Sequence, residues 1–197
     1  HVTGVQTCAL PIFLDDKELR RVLDYVATRK HSARNRALVL LSHGAGLRVC
    51  ELSALRIADI ASPSGEIYDT VYLKPEQTKG SDSRTVYLNT RMQKELSAYI
   101  KTLPRKSPAN KLFYSQKGTS DGFNANTLCQ FFGRLYKNAG INGATSHSGR
   151  RKFCTSLSES GISTKVIMEL SGHKHLSSLE RYIAVTPQTI RKAIELA

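Results

Sequence analysis

The feature that most constrains the fold is a run of five residues without a polar side chain: Ala37, Leu38, Val39, Leu40 and Leu41. Five residues exceed one turn of an α-helix, so this segment is apolar on every side and must be buried on every side. Glycines at positions 44 and 46 end it. The sequence therefore predicts a buried helix over residues 33–43.

Further segments show the apolar spacing of three to four residues that is typical of amphipathic helices. Residues able to cap a helix precede four of these segments: Asp15 or Asp16, Asn124 or Asn126, Thr145 or Ser146, and Ser163. A threonine and a proline at positions 186 and 187 start the last segment. Helices are predicted over residues 15–29, 90–103, 124–138, 145–161, 163–171 and 186–196.

Strand patterns occur between the helices predicted over residues 33–43 and 90–103. Side chains alternate over residues 67–73, and residues 85–88 are the expected antiparallel partner. A further short strand is predicted over residues 57–60. Lys79 lies beside Gly80 at the hairpin tip, where a lysine can reach a ligand, although a lone loop lysine is usually solvated. The elements predict an α+β fold that is mainly α, with a small antiparallel β-sheet at one edge.

The composition favours one basic domain, or a domain with a short extra arm. The chain has 197 residues, of which 40% are hydrophobic, enough for a core. No apolar run reaches the roughly 18 residues of a membrane span. The formal net charge of +13 indicates an anionic partner, with nucleic acid as the leading candidate, although a solvated basic surface gives the same count.

The four cysteines are Cys8, Cys50, Cys129 and Cys154, and they show no C-x-x-C pairing. We interpret them as reduced thiols of a cytoplasmic protein, and not as a disulfide framework or a zinc site. Residues 1–12 have no clear periodicity and no charged region of a signal peptide, and they resemble translated sequencing-adaptor read-through. We expect them to be a non-native or unstructured leader before one domain over residues 13–197.

A stretch near the C-terminus combines three residue types that suit one reaction. His147 and Arg150 are three apart and would share one face of a helix, His173 follows a glycine stop, and Tyr182 comes nine residues later. Arginine can hold phosphate oxygens with parallel donors, histidine moves protons near neutral pH, and tyrosine can form a phosphate ester. Each residue alone has an ordinary explanation, such as a surface pair or a helix stop. Together they predict metal-free cleavage of a phosphodiester.

An arginine also occurs upstream, directly after the glycine turn. Arg48 would start a short helix, in which Glu51 is three residues on and within reach of its guanidinium. In isolation this pattern is typical of an ordinary capping ion pair.

The chain resembles the catalytic domain of the tyrosine recombinases, or phage-type integrases, in an ordered set of six residues: Arg48, Lys79, His147, Arg150, His173 and Tyr182. The matching segments are 46–52, 78–80 with 84–86, 147–151, 170–173 and 181–182. Each segment is a weak signal, but the set is in the family's order and spacing and covers the chain from residue 13 onward. Cys50, where the family often has serine, departs from the pattern without removing a functional group.

The resemblance implies a role for each of these residues. Tyr182 would be the nucleophile that forms a 3′-phosphotyrosine. Arg48 and Arg150 would hold the scissile phosphate, and Lys79 would give a proton to the leaving 5′-oxygen.

The resemblance also implies roles for two histidines and a glutamate around the scissile phosphate. His147 would be the acid/base histidine, His173 would hydrogen-bond the phosphate, and Glu51 would brace the site through Arg48 or a histidine. Four further cations are expected to contact the DNA backbone: Arg84, Arg151, Lys152 and Lys174. For Arg151 an ion pair is the alternative.

The same resemblance implies double-stranded DNA as partner, at a recombination site of a mobile element. It also implies a homotetramer in the synaptic complex, formed from monomers, with neither metal nor other cofactor. We expect a cytoplasmic, nucleoid-associated protein. We expect the family's N-terminal DNA-binding domain to be absent, and we therefore expect weak and salt-sensitive DNA binding.

Two other functions stay open. A type IB topoisomerase uses similar chemistry but reseals the same strand without site preference. A non-catalytic DNA-binding remnant would only occupy its site, and the intact set of six residues argues against it.

Overall fold

The computed structural model describes residues 14–78, 82–104, 107–115, 122–183, 190–191 and 194–195. Its helices are α1 (Asp16–Ala27), α2 (Ser32–Gly44), α3 (Val49–Ala54), α4 (Ile57–Ile60), α5 (Thr90–Lys101), α6 (Ala125–Asn138), α7 (Ser148–Glu159), α8 (Thr164–Ser171) and α9 (Leu176–Glu180). Its strands are β1 (Thr70–Leu73) and β2 (Arg84–Tyr87). The predicted mainly α fold with a small antiparallel sheet is confirmed.

Helix α2 is the centre of the fold, as its apolar run predicts. Residues 37–41 are all buried, and so are Ser42 and His43 at the end of the helix. Helices α1, α5 and α7 pack against it. Each aliphatic side chain buried here stabilises the fold by roughly 1.5–3 kcal/mol. Packing around α2 therefore fixes the positions of its three neighbours.

The predicted helix starts are confirmed where a cap is present. Asp15 and Glu18 form a capping box at α1, in which each carboxylate accepts the other residue's backbone N–H. Asn124 caps α6 and Ser163 caps α8 through their side chains. Helices α1, α5, α6 and α8 end within two residues of the predicted bounds.

Strands β1 and β2 form an antiparallel hairpin, with Val71 opposite Val86 and Tyr72 opposite Thr85. Val71 and Val86 are buried in the core, whereas Tyr72 is exposed on the outer face. The predicted alternation is therefore confirmed over residues 70–73, whereas residues 67–69 of the predicted strand lie outside β1. The hairpin reaches the same end of the molecule as Arg48, because Arg84 of β2 contacts Glu51 of α3.

The prediction of a strand over residues 57–60 is wrong, because these residues form helix α4. The Asp59 carboxylate accepts the backbone N–H of Arg56 at 2.8 Å and so caps the turn. Ile57 and Ile60, three positions apart, are both buried. A four-residue segment with three apolar residues fits strand and helix equally, and here the cap and the spacing favour the helix.

Helices α7, α8 and α9 enclose a small second apolar cluster around Cys154, Ile167 and Leu179. The predicted cap of α7 at Thr145 or Ser146 is wrong, because the helix begins at Ser148 and His147 is its N-cap. Thr145 instead closes a turn with Ser148, whose backbone N–H donates to the Thr145 carbonyl at 2.9 Å. His147 therefore lies at the mouth of α7 and not within it.

Several predictions fall partly outside the described residues. These are the leader over residues 1–12, Lys79, Cys8 and most of the helix over residues 186–196. Cys50, Cys129 and Cys154 are free thiols. Among the helices described, none has the length and apolarity to cross a membrane.

Gly149 lets helix α7 approach helix α2 closely. A Cβ at this position would overlap Ser42 Oγ and lie 2.9 Å from His43 Nδ1. We expect Gly149→Ala to lower the free energy of unfolding by roughly 1–3 kcal/mol, the usual effect of overpacking. Urea denaturation followed by circular dichroism measures this loss.

Gly133 provides the matched control, because it lies in α6 and a Cβ there would meet no atom within 4 Å. We expect Gly133→Ala to raise the stability by roughly 0.5–1 kcal/mol, as alanine does in an exposed helix. Equal stability of the two alanine variants would contradict the close approach of α7 to α2.

Candidate active site

Arg48 is the N-cap of helix α3, and Glu51 lies in the first turn of that helix. The Glu51 carboxylate accepts the Arg48 backbone N–H at 2.7 Å and Arg48 Nη1 at 2.9 Å. Glu51 is fully buried, whereas the Arg48 side chain is 22% exposed. The expected ion pair is therefore present, and it holds Arg48 with part of its guanidinium open to solvent.

A second bond fixes Arg48 to a distant part of the chain. Arg48 Nη2 donates to the carbonyl of Gly172 at 2.9 Å. Gly172 ends helix α8 with a φ of +65°, a conformation that favours glycine. Arg48 thus joins the start of α3 to the end of α8.

Arg150 is held in a similar way by the other glycine stop. Its Nη1 donates to the carbonyl of Gly46 at 2.8 Å. Gly46 has a φ of +62°, and a Cβ there would lie 2.5 Å from the ring of Phe153, so the position requires glycine. The Arg150 side chain is buried, and its Nη2 lies 3.3 Å from Nε2 of His173.

The charge of Arg150 persists despite its burial. Burial lowers the pKa of Arg150, and the nearby charges of Arg48 and Arg84 lower it further, to about 10. Arg150 therefore stays protonated at neutral pH. Glu51 opposes this shift because its negative charge favours the guanidinium.

His173 directly follows the end of α8 and is neutral at pH 7. Burial lowers the pKa of His173 to about 4, and the charges of Arg150, Arg48 and Arg84 act in the same direction. A phosphate anion bound among these cations would favour the protonated ring and raise this pKa.

The hydrogen bonds of His173 assign its tautomer. Arg150 donates to Nε2, so Nε2 is the acceptor and Nδ1 carries the proton. Nδ1 donates to Ser171 Oγ at 2.7 Å, and this hydroxyl donates to the carbonyl of Ile167 at 2.5 Å. The ring is thereby fixed at both nitrogens. Donation to a phosphate would require a proton on Nε2.

Tyr182 follows helix α9 and is half-buried against the second apolar cluster. Its ring centroid lies 5.5 Å from that of His173, and the Arg151 guanidinium lies 5.9 Å from the Tyr182 centroid. Thr155 Oγ1 donates to the Tyr182 carbonyl at 2.8 Å, which ties the residue to helix α7.

The structure thus brings together four of the six predicted residues: Arg48, Arg150, His173 and Tyr182. His147 is exposed at the mouth of α7, three residues before Arg150. Lys79 lies outside the described residues, but its neighbour Thr78 lines the same cleft as Arg48 and His173.

Two of the four cations expected to contact a DNA backbone, Arg84 and Lys152, have little side-chain exposure and pair with carboxylates of the protein. The side chain of Arg84 is 8% exposed and bonded to Glu51. Lys152 is 14% exposed and pairs with Asp16 at 2.8 Å. Lys174 is more than half exposed, although it pairs with Asp82. For the first two residues, the partner that the structure shows is a carboxylate of the protein.

A cleft of about 660 Å³ lies between the hairpin and the end of α8. Arg48, Gly172 and His173 line one part of it, and Asp82 and Ser83 line the hairpin side. The cleft is rich in cations, since Lys165 and Lys174 line it as well. Among the described residues, no group of three or more His, Cys, Asp or Glu could hold a metal ion.

Sequence reasoning missed the backbone groups that hold the arginines. The sequence shows the glycine stops at positions 46 and 172. It does not show that the Gly46 carbonyl accepts a hydrogen bond from Arg150, 104 positions away. Nor does it show that the Gly172 carbonyl accepts one from Arg48, 124 positions away. Ser171, which fixes the ring of His173, was also missed. Its place directly before the Gly-His pair was the only signal.

Comparison with known proteins places these features in a family. The model of the "Phage integrase family" matches residues 12–189. The tyrosine recombinase XerA of Thermococcus kodakarensis is 33% identical over 190 residues, which are 96% of this chain and 64% of the relative. XerA of Pyrococcus horikoshii is 30% identical over 190 residues, with 96% and 62% covered. The chain therefore spans a little under two thirds of the length of these relatives.

Solved structures share the fold. A crystal structure of XerA recombinase has a TM-score of 0.76 and 24% identity, over 95% of this chain and 65% of that one. The Tn1549 transposon integrase in complex with circular intermediate DNA has a TM-score of 0.72 and 22% identity, over 95% and 67%. XerH recombinase bound to palindromic difH substrate has a TM-score of 0.72 and 24% identity, over 98% and 55%.

Proposed function

This chain belongs to the phage integrase family, and on that premise we propose that it cleaves and rejoins DNA strands at a specific site through a 3′-phosphotyrosine intermediate. The family assignment confirms the resemblance found in the sequence. The observation that carries the proposal is the convergence of Arg48 and Arg150 around His173, whose ring contacts Tyr182. Residues 13–197 would form the catalytic domain.

In the proposed reaction, the phenolic oxygen of Tyr182 attacks the scissile phosphorus, and the bond from phosphorus to the 5′-oxygen breaks. The phenolic proton passes to His147, and the leaving 5′-oxygen takes a proton from Lys79. Rejoining is the reverse, with a 5′-hydroxyl from another strand as nucleophile. Because the phosphotyrosine ester retains the bond energy of the phosphodiester, strand exchange needs no ATP.

The arginines act on the charge of the phosphate. Each terminal nitrogen of Arg48 carries a second N–H besides the one bonded to protein, and such a fork matches two phosphate oxygens. Donors held in place before the reaction are worth roughly 3–4 kcal/mol each, by analogy with oxyanion holes. Glycine carbonyls hold both Arg48 and Arg150, so little reorganisation would accompany binding.

The proposed partner is double-stranded DNA with a recombination site of a mobile element. The net charge of +13 and the DNA bound by related integrases and recombinases support this partner. A synaptic homotetramer assembled from monomers, and a cytoplasmic location at the nucleoid, are parts of the same proposal.

A pool of nicked duplexes with randomised sequence tests the proposal, because it offers the chain many candidate sites at once. Incubation without added metal should give a covalent protein–DNA adduct, in which the nick traps the cleaved strand. Tyr182→Phe should form no adduct, because the ring lacks the attacking oxygen. Denaturing gels measure the adduct, and sequencing of the trapped DNA measures site preference.

The other candidate functions give different results. Adducts of every sequence, together with relaxation of supercoiled plasmid, would indicate a topoisomerase. If the unsubstituted chain binds the pool but forms no adduct, it is a binding protein and the proposal fails.

A further inference from the structure

The buried carboxylate of Glu51 accepts four hydrogen bonds, and two of them come from Arg84. Arg84 Nε donates to Oε1 at 3.0 Å, and Arg84 Nη2 donates to Oε2 at 2.7 Å. Arg48 supplies the other two, from its backbone N–H and from Nη1. Two guanidinium groups therefore share one negative charge.

The third nitrogen of Arg84 reaches the segment that carries His173. Arg84 Nη1 donates to the carbonyl of Leu170 near the end of α8 at 2.8 Å. The stem of Arg84 passes directly beside Gly172, where a Cβ would lie 2.6 Å from Arg84 Cδ. Arg84 thus ties β2 to α3 and to the end of α8, the two segments that hold Arg48.

The charges of Glu51, Arg84 and Arg48 decide how strongly the Arg48 guanidinium can bind a ligand. Burial alone raises the pKa of Glu51, but the hydrogen bond and charge of Arg84, followed by those of Arg48, outweigh burial and leave this pKa below its usual value. Glu51 is therefore ionised, and Arg84 is its bidentate partner. Without Arg84, Arg48 would be the remaining guanidinium bonded to Glu51.

On the basis of the proposed function, we propose that Arg84 is a positioning residue: it neutralises Glu51 and thereby leaves the charge and second N–H groups of Arg48 available to the scissile phosphate. Arg84 does not touch DNA in this role. It acts through Glu51 and Arg48, which replaces the expected contact with the DNA backbone.

Three variants test this role in single-turnover cleavage, on a nicked duplex recovered from the randomised pool. Arg84→Met should lower the cleavage rate at saturating DNA on the order of 100-fold, the scale of a lost oxyanion donor. The Kd should change by no more than a few-fold. Glu51→Gln with Arg84→Met should recover the rate to within about tenfold of the unsubstituted chain, since the double variant removes both charges of the coupled pair.

Arg84→Lys separates charge from geometry. Lysine keeps the positive charge but lacks the planar fork that bonds both carboxylate oxygens. Its cleavage rate should therefore lie between those of Arg84→Met and the unsubstituted chain. If Arg84→Met does not fold by circular dichroism, the double variant and Arg84→Lys decide the question.

The pH dependence gives a readout that a purely structural role would not produce. In Arg84→Met, Glu51 still faces Arg48 and the nearby charge of Arg150, but it has lost its bidentate partner, and burial raises its pKa. Protonation of Glu51 then releases Arg48. The cleavage rate of the unsubstituted chain, divided by that of Arg84→Met, should therefore decrease as the pH falls from about 8 to about 5.5.

Each other outcome overturns the inference. A weaker Kd with an intact rate at saturation would make Arg84 a DNA contact, and a folded double variant without recovery would make it a structural residue. An adduct that is undiminished in Arg84→Met would overturn this role alone. No adduct from the unsubstituted chain would overturn both this role and the strand-cleavage proposal.

Discussion

Arg150→Lys is expected to lower the rate of adduct formation at saturating DNA by on the order of 10²–10³-fold, the range for a lost preorganised donor. One guanidinium of Arg150 bonds the Gly46 carbonyl and reaches Nε2 of His173. A lysine has a single nitrogen and cannot reproduce this fork. It would also be buried beside Arg48 and Arg84, which disfavours its charged form. Single-turnover kinetics on a trapped nicked duplex measure the loss.

Arg151→Lys is the matched control, because it makes the same substitution at the next residue of the same helix. Arg151 faces the Tyr182 ring at 5.9 Å, a contact in which a lysine cation can replace arginine. We expect its rate to stay within a few-fold of the unsubstituted chain. If Arg150→Lys cleaves as fast as Arg151→Lys, the buried arginine serves the fold and not the phosphate.

The sequence predicts the helices well where local chemistry determines them. Asp15, Asn124 and Ser163 cap α1, α6 and α8, because each side chain accepts a backbone N–H three residues on. The apolar run in α2 predicts burial, since no face of that helix could remain in water. These features depend on neighbours within one or two helical turns, so the sequence alone contains them.

The wrong predictions of secondary structure arise where two local signals favour different structures. Residues 57, 58 and 60 carry apolar side chains that suit a strand, but Asp59 caps the turn and favours helix α4. At α7, Thr145 could have been the cap, but its bonds with Ser148 form a turn that moves the helix start to Ser148. Side chains that bond the local backbone often offer such alternatives.

The order of the candidate site residues could be predicted, whereas the contacts that hold them could not. Arg48 bonds the Gly172 carbonyl, and Arg84 bonds the Leu170 carbonyl 86 positions away. Periodicity and capping carry no information at such separations. For Arg84, charge suggested a DNA contact, but the fold brings the buried Glu51 within its reach. Which cations face the solvent is decided by tertiary packing.

Acid should weaken the fold through His43, which is buried in α2 against α7. Burial lowers the pKa of His43 to about 4, so between pH 6.5 and 4 the unfolded chain binds the proton and the folded chain does not. Stability is therefore fully present above pH 6.5 and falls as the pH drops toward 4. His43 alone should contribute a loss of about 3 kcal/mol between pH 7 and 4, which urea denaturation at each pH measures.

His43→Gln should remove this share of the pH dependence, because glutamine cannot take up the proton. His173 and Glu51 would leave a loss in the same direction, since each has a lowered pKa in the folded chain. His175→Gln, at an exposed position beyond α8, should keep the full dependence of the unsubstituted chain. If the two glutamine variants lose stability equally between pH 7 and 4, His43 accepts a proton within the fold, and the contact of α2 with α7 admits water.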